Sequence, residues 1–180
     1  MLRKTIKAAA VLLVIAALLL GAAVLYVRPA ETLDLAYEPV SVSQKLLDIV
    51  KTRKPEVHLT GRELNDLVKM KLAERPQLNE RVTIEGARLE QRGDRLTAYV
   101  NLKTIAGVRV GAALDFALEW KAPELVVRHT GTRIRDFTVP PSWLTLDPVV
   151  VPIDDSAVPL VKVKAIAFLD DGVRIDLGLK

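Results

Sequence analysis

After Pro76 the hydrophobic pattern of this chain changes from a period near 3.6 to a period of 2, and outside one proline-rich segment it keeps that period to the last residue. A helix returns a side chain to the same face every three to four residues and a strand every second residue, so most of the chain is expected to be strand, each strand with one apolar face. The most regular stretch, 108–121, sets Val108, Val110, Ala112, Leu114, Phe116, Leu118 and Trp120 on one face and Arg109, Asp115, Glu119 and Lys121 on the other. At ~3.3 Å per residue it would extend ~45 Å, against the usual ~17–20 Å. A strand of that length is expected to curve.

Its neighbours read in the same way. Val82–Gln91 and Arg95–Lys103 form a hairpin across a three-residue turn, Arg92-Gly93-Asp94. The apolar phase slips at Gly86, from Val82 and Ile84 to Ala87 and Leu89, which predicts a bulge. A second slip falls around Gly131 in the strand 125–137, and the two slips together predict a strongly bent sheet. Thr138–Pro159 holds five prolines and is expected to be a long ordered loop or a sheet edge. A last hairpin joins 160–169 to 173–180 across Asp170-Asp171-Gly172.

The amino-terminal part follows other rules. Ala8–Val27 is a run without charge, preceded by Arg3, Lys4 and Lys7 and closed by Tyr26 and Arg28. Twenty residues of helix rise ~30 Å, the thickness of a bilayer's hydrocarbon core, and positive charge is retained in the cytoplasm. The expectation is a single-pass anchor at the cell membrane with an extracytoplasmic domain; the competing reading is a secretory signal cleaved near Gly21-Ala22-Ala23. No Cys follows the run, which excludes a bacterial lipoprotein. The boundaries are then 1–28 for the basic terminus and anchor, 29–42 for a spacer that should contact little, and 43–180 for the domain. Ser43 can cap a short helix over 44–53. Thr60-Gly61-Arg62-Glu63 is a capping box, and the helix it opens puts Leu64, Leu67, Val68 and Leu72 on one face, Arg62, Asp66 and Lys69 on another, and ends near Arg75 before Pro76.

Charge and composition narrow the function. The sequence pI is near 9.4, but three of the 26 basic residues precede the apolar run and all 22 acidic residues follow it, leaving 23 against 22. So balanced a domain lacks the basic face that nucleic acid requires. Without Cys there are no disulfides, thiol nucleophiles or thiolate metal sites. His58 and His129 are far apart with no carboxylate at ligand or triad spacing, and Ser142 lies in Pro-Pro-Ser rather than a nucleophile elbow. Asp154-Asp155 and Asp170-Asp171 have the chemistry of turns, and Gly107 and Gly111 do not open a helix onto a phosphate. No catalytic residue, metal ligand or cofactor is expected, and an enzyme is not.

What remains is a surplus. Several strands carry apolar faces, whereas two short helices offer about seven apolar side chains to cover them. The excess must pack sheet on sheet, pair with another chain, or line a cavity for an apolar ligand. If the last holds, the groove would be lined by Leu67, Met70, Leu114, Phe116, Leu118, Val139 and Trp143.

The order of parts resembles the YpmS-like proteins of bacterial envelopes: a basic terminus, one apolar helix, Val57-x-Leu59-Thr60-x-x-Glu63-Leu64-Asn65-x-Leu67 at a helix start, long alternating strands and a Val-Pro-rich segment before a final hairpin. More distantly it is similar to the tubular lipid-binding superfamily, which implies an apolar inner sheet face that accepts acyl chains, and no catalytic residues. The double proline at Pro140-Pro141 departs from the spacing of the YpmS-like pattern. The expected fold is α+β: an N-terminal transmembrane helix, two short helices and a long-stranded, highly curved antiparallel β-sheet. The expected function is binding of an apolar ligand of the lipid class at the outer face of a membrane. The alternative is an envelope scaffold that docks a partner protein by a sheet edge or the Pro-rich loop.

Overall fold

A computed structural model describes residues 2–40, 55–152 and 161–179. Among these the chain forms two helices, α1 (Leu2–Val27) and α2 (Gly61–Glu74), and ten strands. The strands are β1 (Glu56–Thr60), β2 (Gln77–Asn79), β3 (Val82–Arg92), β4 (Arg95–Thr104) and β5 (Arg109–Lys121). They continue with β6 (Glu124–Ile134), β7 (Phe137–Val139), β8 (Val149–Pro152), β9 (Val161–Leu169) and β10 (Gly172–Leu179).

This corrects the expected α+β class: the described protein is mostly antiparallel β-sheet. The anchor is corrected as well. The apolar run is helical, but among the described residues no helix is long and apolar enough to cross a membrane. Arg3, Lys4 and Lys7 lie within α1 rather than ahead of it, so the helix carries three cations in its first two turns. The short helix expected over 44–53 lies outside the described residues.

The main sheet has the order β2-β3-β4-β5-β6-β7, with β8 also paired to β6. The β3–β4 hairpin closes more tightly than expected, because Arg92 pairs with Arg95 across the two residues Gly93 and Asp94, with Gly93 at φ 57°. The Gly86 bulge is present as a register shift between Ile84 and Gly86. The slip near Gly131 is present too: Asp115 faces Gly131 and Phe116 faces His129, so Thr130 is the additional residue. The two irregular strands, β3 and β6, are separated by β4 and β5. In the Pro-rich segment β8 pairs along Glu124–Val127, an edge position at which a proline's missing N–H costs no ladder bond.

A second sheet, β1-β10-β9, takes the short piece before the capping box as its edge. The Gln91 side chain ties the two sheets together, its Nε2 donating to the carbonyls of Leu169 (3.3 Å) and Gly172 (3.1 Å). The capping box is formed as expected: the Glu63 N–H donates to Thr60 Oγ1 (3.3 Å) and the Thr60 N–H to Glu63 Oε2 (2.9 Å). α2 packs on β3, and its Leu64, Leu67, Val68 and Leu72 are half-buried. Its Asn65 Oδ1 accepts from the Leu89 N–H (3.0 Å), which supplies a partner to a backbone donor of β3.

The expectation that 29–42 contacts little is wrong in its described part. Residues 29–34 form a strap across one face of the main sheet, running from β5 over β4 to β3. Gly86 pairs with Asn101 and Asn101 with Gly111, so two glycines flank an asparagine in one cross-strand row. The missing side chains open a trough, and the strap fills it. A Cβ at Gly111 would stand 2.7 Å from Pro29 Cα, and one at Gly86 would overlap the Leu33 carbonyl and stand 2.6 Å from the Asp34 N. Asn101 Nδ2, only 7% exposed as a residue, donates to the Glu31 carbonyl (2.8 Å), and the Ala87 N–H donates to the Asp34 carbonyl (3.1 Å).

The strap continues along α2, where Lys69 Nζ meets Asp34 (3.1 Å) and Arg62 meets Glu38 (2.8 Å). Arg62, Asp66 and Lys69 make the polar face of α2, and of these Asp66 is only 8% exposed and the Lys69 side chain 14%.

Candidate functional site

The main sheet has two faces of different chemistry. On the first, β5 presents Val110, Ala112, Leu114, Phe116 and Leu118, opposite Leu102, Val100, Ala98 and Leu96 of β4 in register. Leu114 is paired with Thr132 and Thr132 with Val139, so Leu114 and Val139 share a cross-strand row. Phe116 meets His129 edge to face at 5.7 Å, and His129 Nε2 lies 2.8 Å from Thr132 Oγ1. Here His129 is at the rim of the apolar row, with the Leu146 N–H 3.5 Å from its Nδ1.

That face is incompletely covered. On it Val110, Ala112, Leu114, Phe116 and Leu118 are all half-buried, and the buried apolar residues among the described ones are Ile84, Ala87, Val100, Val126 and Val173. No large side chain among them is fully buried. A sheet face in a filled core would instead carry fully enclosed Leu and Phe side chains at organic-crystal density.

Of the seven residues predicted to line a groove, Leu114, Phe116 and Leu118 alternate on this face of β5, and Val139 joins them through Thr132. Leu67 and Met70 are half-buried on α2, which packs on β3 two strands away. Trp143 is apart: it is 73% exposed, with its ring 6.0 Å from that of Phe137.

The opposite face is polar, and sequence reasoning missed its arrangement. Here the strap divides the trough into two cavities. One, of about 690 Å³, lies towards the β4–β5 turn, bordered by Val24, Thr32, Glu85, Lys103 and Arg109. Glu85 holds Arg109 at 2.8 Å and Lys103 at 3.8 Å. The other, of about 240 Å³, has Tyr99, Gly111 and Ala113 as its floor and four arginines, Arg28, Arg88, Arg133 and Arg135, around it. Arg88 lies over the Tyr99 ring at 4.4 Å and pairs with Glu31 of the strap (3.1 Å) and with Glu90. Arg133 forks onto Asp115, with 3.2 Å to each oxygen, and Thr97 Oγ1 donates to the same carboxylate at 2.8 Å. Arg135, at φ 51°, donates to the Arg28 carbonyl (3.3 Å) and stands 5.8 Å from the Tyr26 ring.

Burial pushes the Asp115 carboxyl up, but the bonds from Arg133 and Thr97 and the charges of Arg133 and His129 outweigh it and hold the group below its ordinary range. Neither cavity is lined by any of the seven predicted groove residues. Among the described residues no group of three His, Cys, Asp or Glu side chains is placed to hold a metal ion. The signal for the arginine cavity was present in the sequence only as small residues, Gly111 and Ala113, interrupting the polar face of a strand between charged ones. Comparison with known families, curated proteins and solved structures finds no match to this chain in any of the three.

Proposed function

We propose that this protein is a binding protein for an apolar ligand of the lipid class, taken up along the open face of β5 beside β4. The observation that carries the reading is the half-burial of Val110, Ala112, Leu114, Phe116 and Leu118 together, with no large side chain fully buried among the described residues. An apolar face of that length, left partly open, gains roughly 25 cal/mol for each Å² that a ligand removes from water. Leu114, Phe116 and Leu118 supply the lining and His129 a polar rim.

The test is a pair of measurements on the full chain, wild type and Phe116→Trp: uptake of a fluorescent fatty acid, and the denaturation midpoint of the delipidated protein. The reading expects saturable uptake by wild type and reduced uptake by a variant of unchanged midpoint. A destabilised variant means that Phe116 sits in a filled core, where overpacking typically costs about 1–3 kcal/mol. That result, or uptake indifferent to the substitution, overturns the reading.

One observation favours a second reading, a partner-docking edge. Phe137, Trp143, Val149, Val150 and Val151 are all exposed along β7, the Pro-rich segment and β8. Strand addition would use that edge, and it would leave fatty-acid uptake absent.

A further inference from the structure

We propose that the 240 Å³ cavity beneath the strap is a binding site for a phosphate-bearing anion, held by Arg28, Arg88, Arg133 and Arg135. It lies on the polar face of the main sheet and is independent of the apolar face of β5. Guanidinium groups present planar forks that match phosphate and carboxylate oxygens two at a time, and four of them border one small cavity. The site already receives an anion. The Glu31 carboxylate comes from the strap and meets Arg88 Nη2 at 3.1 Å, while Asp115 holds Arg133 from the side.

The charge balance points the same way. Among the lining residues four cations face one carboxylate, Glu31. Glu90 and Asp115 each engage one arginine from outside the lining, so Arg28 and Arg135 bring charge that these carboxylates do not meet. Arg135 uses one nitrogen on the Arg28 carbonyl, which fixes the position of a guanidinium with further N–H groups to donate. The floor is made of Gly111 and Ala113, too small to fill the space, and Tyr99, whose ring backs Arg88. Asn101 anchors the strap at Glu31, so the roof carboxylate competes with the ligand from a fixed place.

Free phosphate and a phospholipid headgroup share this chemistry. Inorganic phosphate is titrated into the full chain by calorimetry, and flotation is measured with vesicles of phosphatidylcholine alone or mixed with phosphatidylglycerol. Arg28→Gln with Arg135→Gln should weaken binding by roughly tenfold or more, the scale of lost charged hydrogen bonds. Phosphate binding lost in this variant identifies free phosphate as sufficient. Binding confined to phosphatidylglycerol vesicles, and lost in the variant, identifies the headgroup. Glu31→Gln, at an exposed position that leaves the strap backbone in place, is the second variant and should tighten binding several-fold by removing the competing carboxylate. No binding of either probe, binding unchanged in the arginine variant, or binding not strengthened by Glu31→Gln overturns the proposal.

Discussion

Gly86→Ala isolates the docking of the strap from every other feature of the sheet. Residue 86 has no backbone conformation that requires glycine, so the effect comes from the added methyl alone. That methyl would overlap the Leu33 carbonyl and stand 2.6 Å from the Asp34 N, and both are backbone that cannot rotate away. The strap must lift from β3. Two hydrogen bonds then go: the Ala87 N–H to the Asp34 carbonyl and Asn101 Nδ2 to the Glu31 carbonyl. At about 0.5–1.5 kcal/mol each, and with a buried amide to re-solvate, the loss is about 2–4 kcal/mol. The exposed ion pairs of the strap add little to this. With a urea slope of ~2 kcal/mol/M the midpoint should fall by roughly 1–2 M. Hydrogen exchange at the Ala87 amide should accelerate in parallel. Gly21→Ala, which meets nothing within 4 Å and lies in α1, is the control and should not destabilise. An unchanged midpoint together with unchanged protection of Ala87 would refute the docked strap.

Other links in the argument can be probed singly. Thr60→Ala removes the acceptor for the Glu63 N–H and should cost ~0.5–2 kcal/mol in a denaturation experiment, with no loss if α2 starts elsewhere. Asn65→Leu leaves the Leu89 N–H of β3 without its partner and should cost about 1–3 kcal/mol, seen as a lower midpoint and faster exchange at Leu89. Asp115 has a folded pKa below its unfolded value of about 3.9, so its contribution is complete above that value and is lost as pH falls through the folded pKa. The midpoint difference between wild type and Asp115→Asn should therefore be constant near neutrality and shrink below about pH 4; a difference that grows on acidification would contradict the Arg133–Asp115–Thr97 arrangement.

Much of the strand order was legible in the sequence, because alternation is a local property. The β5 pattern, the Gly86 bulge, the slip near Gly131 and the Thr60 capping box all follow from residues a few positions apart. Pairing between distant segments was not legible. Nothing in Glu56–Thr60 says that its partner is Gly172–Asp176, and nothing in Pro29–Asp34 says that it crosses three strands. The strap looked like a spacer because its own residues are mixed in polarity. The information that docks it is held elsewhere, in two glycines and an asparagine that become neighbours only when β3, β4 and β5 pair. The polar face of α2 is a related case: Lys69 is largely buried and meets Asp34 of the strap, thirty-five positions away in sequence. The apolar run Ala8–Val27 was legible as helix, whereas the span inferred from it was not supported by the described residues. Of the candidate site, the row Leu114–Phe116–Leu118 was readable from β5 alone, Trp143 was not brought to it, and the arginine cavity depends on four residues from three separate parts of the chain.

The central claim, that an apolar ligand lies along β5, is tested most directly by photo-crosslinking. The full chain is incubated with a fatty acid carrying a diazirine in its acyl chain, irradiated, digested and mapped by mass spectrometry, with and without excess unlabelled oleate. The account predicts label on Arg109–Lys121 and the β4 residues paired with it, displaced by oleate and diminished in Phe116→Trp. Label confined to α1 or to the exposed Phe137–Val151 edge, or label that oleate does not displace, would contradict it.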